Sequence, residues 1–309
     1  MKTKAYPLAA IIAALASVLL LLLASPAAAA PARVKVSAYV VNISSFDVAH
    51  GSYLVDVYIS FEAEPGSKLP ELAFEFANGR GKVDVLKVDP GKAIHYRVLA
   101  KLSSHVDLRE YPFDSHTLQI KVEDKKKVLD ELVYVADSRG SGLDNEIVLM
   151  GWRIDGWSHK AQVKAYPDGE KYSRYVFNIR LGRIGLTSVL KTFVPLLCFL
   201  LISFMTLLIE PVKADSRISI NTGMMIASVM FHVAVASSLP PLGYLTLADR
   251  LMIATYVVVG FNLLQSVLIQ RAKHRDQHER AEKLYKRAQY LGPAVAAVSY
   301  LVALIPTFL

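Results

Sequence analysis

Cysteine is nearly absent from this 309-residue chain: the one copy is Cys198, in an apolar run, so no internal disulfide can form. Tryptophan is scarce too, with Trp152 and Trp157 the two copies, both read as core. There is no nucleophile–base pairing, no metal-ligand spacing and no glycine-rich phosphate loop, which argues against an enzyme and leaves no cofactor or metal to expect. His95, His105 and His116 are scattered and read as surface or strand residues. The formal charge of +8 comes without a dense basic stripe interleaved with aromatics, which argues against a nucleic-acid partner. Charge is also unevenly spread: residues 31–183 hold most of it, and residues 184–309 hold several long apolar runs.

Residues 1–30, "MKTKAYPLAAIIAALASVLLLLLASPAAAA", combine a basic start, an apolar stretch and a small-residue end. That pattern is a secretory signal peptide; an uncleaved anchor helix is the alternative, and in either case the next segment is exported. Residues 31–183 alternate in period two through "RVKVSAYVVNI", "YLVDVYISFE", "AIHYRVLAKL", "TLQIKVE", "ELVYVA", "WRIDGW", "AQVKAY" and "YVFNIRL", punctuated by "EPGSKLP", "DPGK" and "PDGE". Eight to ten short strands so spaced predict an all-β sandwich.

From residue 184 the pattern predicts four membrane-spanning helices at about 188–209, 218–239, 250–270 and 291–309. Each is near the ~20 residues that cross a bilayer core. The connecting loop 271–290 carries seven Lys or Arg against three acids, so the positive-inside rule makes it cytoplasmic. The fold class is thus an extracellular all-β sandwich followed by a four-helix transmembrane bundle. The implied location is a plasma (inner) membrane, crossed several times, with the N-terminal domain periplasmic or extracellular.

The second span, "ISINTGMMIASVMFHVAVASSL", is less oily than its neighbours. Ser219, Asn221, Thr222, Ser228, His232, Ser237 and Ser238 would be costly against lipid. Small and polar residues suit a packed helix contact; they also suit a water-filled pore. Steps of three and four from Ser219 collect Ser219, Gly223, Ile226, Met230, Val233 and Ser237 on one face. Its middle is apolar, as a pore gated by dewetting requires. Asp215 and Arg217 stand at its inner end. One helix cannot enclose a pore, so this reading demands an oligomer; the residues by themselves leave pore and packing helix open.

The segment "EYPFDSHTLQI" at 110–120 resembles the signature turn of the pentameric ligand-gated ion channels, the Cys-loop receptor superfamily, in its cysteine-less prokaryotic form. "FDVAHGSYLVDVYISF" resembles that family's first hairpin, and "GWRIDGW" one of its later strands. "LGRIGLTSVLKTFVP" resembles the approach to the first span, with Pro195, and "LPPLGYLTLADRLM" the link from second to third span. The likeness keeps its order over nearly all of 33–309.

The resemblance implies a homopentamer in membrane lipid, conducting inorganic ions through an axial pore lined by the second span. It implies a gating interface of Asp47, Tyr111, Pro112, Phe113, Asp114, Arg183 and Pro240, with Arg183 bound to the two acids. The plainer alternative is that Asp114 caps its own turn. It also implies that Asp215 and Arg217 set selectivity, the acid favouring cations.

The chain departs from the family between "FEAEPGSKLPELAFEF" and the next strand, where roughly twenty residues with a tryptophan-rich loop are missing. Tyr58, Tyr166, Tyr172 and Tyr175 could supply part of an aromatic cage, but alternating tyrosines are also ordinary sheet residues. Protons are therefore as good an agonist expectation as a small amine. A non-conducting membrane sensor or assembly protein is the competing function.

Overall fold

The computed structural model describes residues 30–305. The expected signal peptide, apart from Ala30, and the last four residues of the expected fourth span lie outside them. Ten strands occupy Ala32–Arg183: β1 Ala32–Asp47, β2 Ser52–Ala63, β3 Phe74–Phe76, β4 Gly79–Asp89, β5 Ala93–Ser103, β6 Ser115–Asp124, β7 Leu132–Ala136, β8 Gly142–Leu143, β9 Trp152–Ala165 and β10 Lys171–Arg183. One sheet runs β4-β5-β2-β1-β7, with β8 also on β1; the other runs β3-β6-β10-β9.

The sandwich follows from period-two alternation, because successive side chains leave opposite faces of a strand. On β1, Val34, Val36, Ala38 and Val40 face inward and are fully buried; on β2 the same holds for Val55, Val57, Ile59 and Phe61. The second sheet answers with Leu118, Ile120 and Val122 from β6 and Tyr175, Phe177, Ile179 and Leu181 from β10. Together these rows form one dry core.

Two details differ from the pattern reading. "WRIDGW" and "AQVKAY" belong to a single strand, β9, carried through Gly156 at φ 138. There the register steps from Arg180↔Gly156 to Leu181↔Ile154, leaving Asp155 unpaired as a bulge. A side chain at that φ would be strained, which explains the glycine. Strand β4, "GRGKVDVLKVD", is an addition to the expected strands: its alternation breaks at the Leu86 bulge, and it is exposed on both faces for nearly its whole length.

Four helices follow: α1 Gly185–Met205, α2 Ala214–Ala236, α3 Leu247–His274 and α4 His278–Leu304. Short 3₁₀ turns at Thr206–Leu208 and Pro211–Lys213 join α1 to α2. Among the described residues, three stretches are long and apolar enough to cross a membrane: Gly185–Leu208, Pro211–Ala236 and Leu247–His274, with mean hydropathies of 2.1, 1.6 and 1.9. The one containing α2 is the least apolar, as its sequence foretold.

The expected loop 271–290 is corrected: α3 runs to His274, α4 begins at His278, and the connection is the short turn between them. The charges misled because they decorate one side of an amphipathic helix. Ala281, Ala288 and Gly292 recur at helical spacing on its buried side, and Glu282 meets Lys286 at 3.5 Å one turn on.

Candidate functional site

Strand register sets up the first cluster. Strands β6 and β10 pair antiparallel with Leu181 opposite His116 and Gly182 opposite Ser115. The next step brings Arg183 to Asp114, and the Arg183 amide donates to the Asp114 carbonyl at 3.4 Å. The side chains close the same gap. Arg183 Nε donates to Asp114 Oδ1 at 2.7 Å and Nη2 to Oδ2 at 2.9 Å, a two-pronged pair whose geometry is fixed.

Asp114 is 2% exposed. His116, two residues on along the strand and so on the same face, places Nε2 2.7 Å from Oδ2. The Arg183 guanidinium lies between the rings of Trp152, at 4.5 Å, and Tyr111, at 5.1 Å. Burial pushes the Asp114 carboxyl up, but the hydrogen bonds from His116 and Arg183 outweigh it and hold the pKa at about 2.

One expectation is corrected here. Asp47 makes no ion pair with Arg183. Its carboxylate accepts from the Ala49 amide at 2.8 Å and the His50 amide at 3.3 Å, and sits 2.8 Å from His50 Nδ1. The carboxylate that caps its own turn is thus Asp47, while Asp114 reaches from the start of β6 to the end of the neighbouring strand β10. Asp47 and Arg183 do share the wall of one cavity with Tyr111 and Pro240. His116 is the strand residue of that expectation, on β6, and it is buried, edge-on to Trp152 and Phe46. The signal was its position two residues from Asp114 on an alternating strand.

The turn is also tied to the helices. The α3 amides of Leu247 and Ala248 donate to the carbonyls of Arg109 and Tyr111 at 2.8 and 3.2 Å. A helix leaves its first amides without internal partners; here the sandwich supplies them. Tyr244 Oη accepts from the Leu108 amide at 3.0 Å, with Arg109 over its ring at 4.7 Å. Phe113 projects from the turn onto Phe193 of α1, ring centroids 5.7 Å apart. The Tyr111–Pro112 peptide is cis.

Helix α2 has two unlike sides. Ala214, Arg217, Asn221 and Ser228 are buried within the subunit. On the other side, Ser219, Gly223, Ile226, Met230 and Val233, with Ser237 at the C-cap, are all exposed, Ile226 at 61% and Met230 at 65%. Thr222 and Val229 extend the uncovered arc, and Asp215, exposed and accepting from Gln270, lies at its lower end.

The polar residues of this segment divide between the two readings the sequence left open. Asn221 donates to Thr206 Oγ1 at 3.1 Å and receives Ser203 Oγ at 3.2 Å, and Asn262 reaches Ser203 at 2.8 Å. His232 contacts Tyr256 Oη and Asp249 Oδ1, both at 2.9 Å. These hold α1, α2 and α3 together, whereas Ser219, Thr222, Ser237 and Ser238 stay uncovered.

Arg217 does not stand beside Asp215. It is fully buried, its guanidinium 5.5 Å from the Tyr285 ring and without a hydrogen-bond partner among the described residues. Two residues from Ser219 on a helix is the far side.

The four tyrosines do not converge. Tyr166 and Tyr172 meet edge to face at 5.6 Å, and Tyr166 Oη donates to Glu123 at 2.8 Å. Tyr58 lies on the other sheet beneath Arg97, and Tyr175 is core. Trp157, read as core, is 36% exposed and stacks on Phe177. Among the described residues no group of three or more His, Cys, Asp or Glu is placed to hold a metal ion.

No protein-family model matches the chain. It is similar to the "Proton-gated ion channel" of Gloeobacter violaceus, 22% identical over 76% of this chain and 66% of that protein. It is also similar to the human "Gamma-aminobutyric acid receptor subunit rho-1", 20% identical over 65% of this chain and 43% of that one. The human "Neuronal acetylcholine receptor subunit alpha-10" is 23% identical over 63% of this chain and 43% of its own length. The chain therefore spans just under two thirds of the first relative and under half of the receptor subunits.

Proposed function

We propose that the chain is a member of the pentameric ligand-gated ion channels, as its similarity to three such proteins supports, and that five copies surround a gated pore lined by α2. The observation that carries this reading is the bare arc of α2. Six residues spaced for one face are uncovered, while the opposite face is buried against α1 and α3. An uncovered arc holding Ser219, Thr222 and Ser237 fits water better than lipid, and five copies around an axis would turn it inward. Ile226 and Met230 then form the narrowest apolar rings, closing the pore by dewetting. The sandwich lies on the outer side of a plasma or inner membrane.

The pore passes cations. Asp215 lies on the pore side of α2, so five copies form an acidic ring, and such rings favour cations. Arg217, which would oppose it, is turned into the bundle. Protons are the gating signal. Support comes from the dispersed tyrosines and from the relative named as proton-gated.

The test is recording from purified protein in lipid bilayers. Currents should appear as the outer pH is stepped between about 9 and 4, across the range of histidine and carboxylates, and reverse near the cation potential in a NaCl gradient. Ile226→Ser should add a standing leak. Asp215→Ala should drive reversal toward non-selectivity. Silence in all variants, from protein verified as a membrane pentamer, favours the non-conducting sensor instead.

A further inference from the structure

The bare face of α2 carries one oxidisable atom, the sulfur of Met230. Ser219, Gly223, Ile226, Val233 and Ser237 hold nothing that a mild oxidant attacks, and neither do the flanking Thr222 and Val229. Met230 is 65% exposed on that face. The remaining methionines among the described residues lie off it. Met224 and Met225 are half-buried, and Met225 Cε lies 3.5 Å from where a Cβ on Gly260 of α3 would stand. Met252 is buried on α3, while Met150, in the turn before β9, and Met205, at the end of α1, are exposed on other elements.

A thioether is apolar and flexible, so Met230 fills a constriction as leucine or isoleucine does. The apolar stretch of the face, from Ile226 to Val233, covers ~10 Å of helix axis. Met230 stands inside it, ~6 Å from Ile226 and ~4.5 Å from Val233 along that axis. Such a passage stays shut because water leaves it, so closure depends on the side chain at 230 remaining apolar. Oxidation to the sulfoxide replaces the thioether with a polar group that accepts hydrogen bonds, and leaves the carbon chain and backbone as they were. Five sulfoxides at one level put a polar ring in the middle of the passage. The apolar stretch is then cut into two shorter pieces, which hold water out less well.

Access fits this chemistry. Position 230 lies toward the end of α2 that continues through the link to α3, where Tyr244 accepts from the Leu108 amide of the sandwich. With the sandwich on the outer side, an oxidant in the outer solution reaches Met230 before it meets Ile226. We propose that Met230 is an oxidation site within the pore, and that its conversion to the sulfoxide by a peroxide opens the channel. The step balances with hydrogen peroxide: a sulfur lone pair takes one oxygen, the O–O bond breaks, sulfur gives up two electrons, and proton transfer releases water. The inference rests on the pore reading above and deepens it.

The experiment uses the full chain in lipid bilayers, with Cys198→Ala, Met150→Leu and Met205→Leu removing the other exposed sulfurs of the described residues. Hydrogen peroxide added on the sandwich side, at a pH where the channel is silent, should raise the standing leak at least about tenfold. Peptide mass spectrometry should find the added oxygen on Met230 and not on Met252. Adding Met230→Leu should abolish the response. Met230→Gln, polar and of similar length, should leak without oxidant; should it not assemble, oxidation of the pentamer already in the membrane carries the test. Ile226→Ser, made with and without Met230→Leu, reports whether the pore conducts. The proposal is overturned if Ile226→Ser leaks while full oxidation of Met230 yields no current. It is equally overturned if Met230 stays reduced under peroxide that converts Met150 in the unaltered chain, or if the Met230→Leu chain responds as strongly as its parent. Silence of Ile226→Ser in protein verified as a membrane pentamer strikes instead at the pore reading, and takes the proposal with it.

Discussion

The strands and the helices of this protein are built inside out with respect to one another. The sandwich buries Val34, Val57, Phe61 and Phe177 and turns lysines outward, while the helices bury Ser203, Thr206, Asn221, Thr255, Asn262 and Ser266 and expose Leu186, Leu190, Leu201 and Val257. In water, removing apolar area is the dominant gain, so apolar side chains go inside. In lipid that gain vanishes between helices, and close packing with hydrogen bonds takes over. The helices also bury Leu251, Met252, Val258 and Val259, so the contrast lies in the polar residues they add to that interior and the apolar ones they leave outside. The Asp114–Arg183 pair belongs to the sandwich but is built like the helical interior, buried and polar, and it stands where the two halves meet.

Breaking that pair should give the largest effect. Arg183→Gln strands the buried Asp114 carboxylate and should cost about 3 kcal/mol of stability in detergent, read by denaturant or thermal unfolding. Asp114→Asn together with Arg183→Gln should cost much less than the sum of the two single changes; additive effects would show that the contact carries no energy.

Acid should give the next largest. The Asp114 pKa of about 2 lies below its unfolded value of 3.8. Its contribution, about 2 kcal/mol, is therefore present above pH 4 and lost as pH falls through 2. The stability gap between wild type and Asp114→Asn should close over that interval and stay constant from pH 5 upward.

The helical interior should respond more mildly. Asn262→Leu removes the bond to Ser203 and should cost about 1 kcal/mol, whereas Phe177→Ala in the sandwich should cost about 3–5 kcal/mol. A reversed order would undo the contrast between the two cores. Smallest of all, Arg217→Met should be neutral or stabilising by up to about 1 kcal/mol, because the buried guanidinium has an aromatic ring but no carboxylate to offset its desolvation.

Alternation made most strands legible, and three-and-four spacing made the bare face of α2 legible, because both depend on local geometry. β4 does alternate over Lys82–Val85, but Leu86 interrupts the period at a bulge and two glycines open the strand, so the run is short for a strand reading. The helical start of α4 was missed because its charges were counted as a sum rather than by face. Arg217 was placed at the mouth by its position in the chain, although its angle around α2 already pointed the other way. The Asp114–Arg183 contact was reached through family resemblance and not through spacing, since it depends on the register of β6 against β10. His116 could have been found from its two-residue offset.

Helix α3 is an unbroken 28-residue rod, which at 1.5 Å per residue is ~42 Å long. One end is bolted by the Leu247 and Ala248 amides to the proline turn, and the other carries Arg271 and Arg275. A rod of that length converts angle into travel: a tilt of about 5° about either end sweeps the opposite end through ~4 Å, more than the length of any hydrogen bond that holds it. Stiffness and length therefore make the two ends of the molecule mechanically audible to each other without any chain of contacts in between.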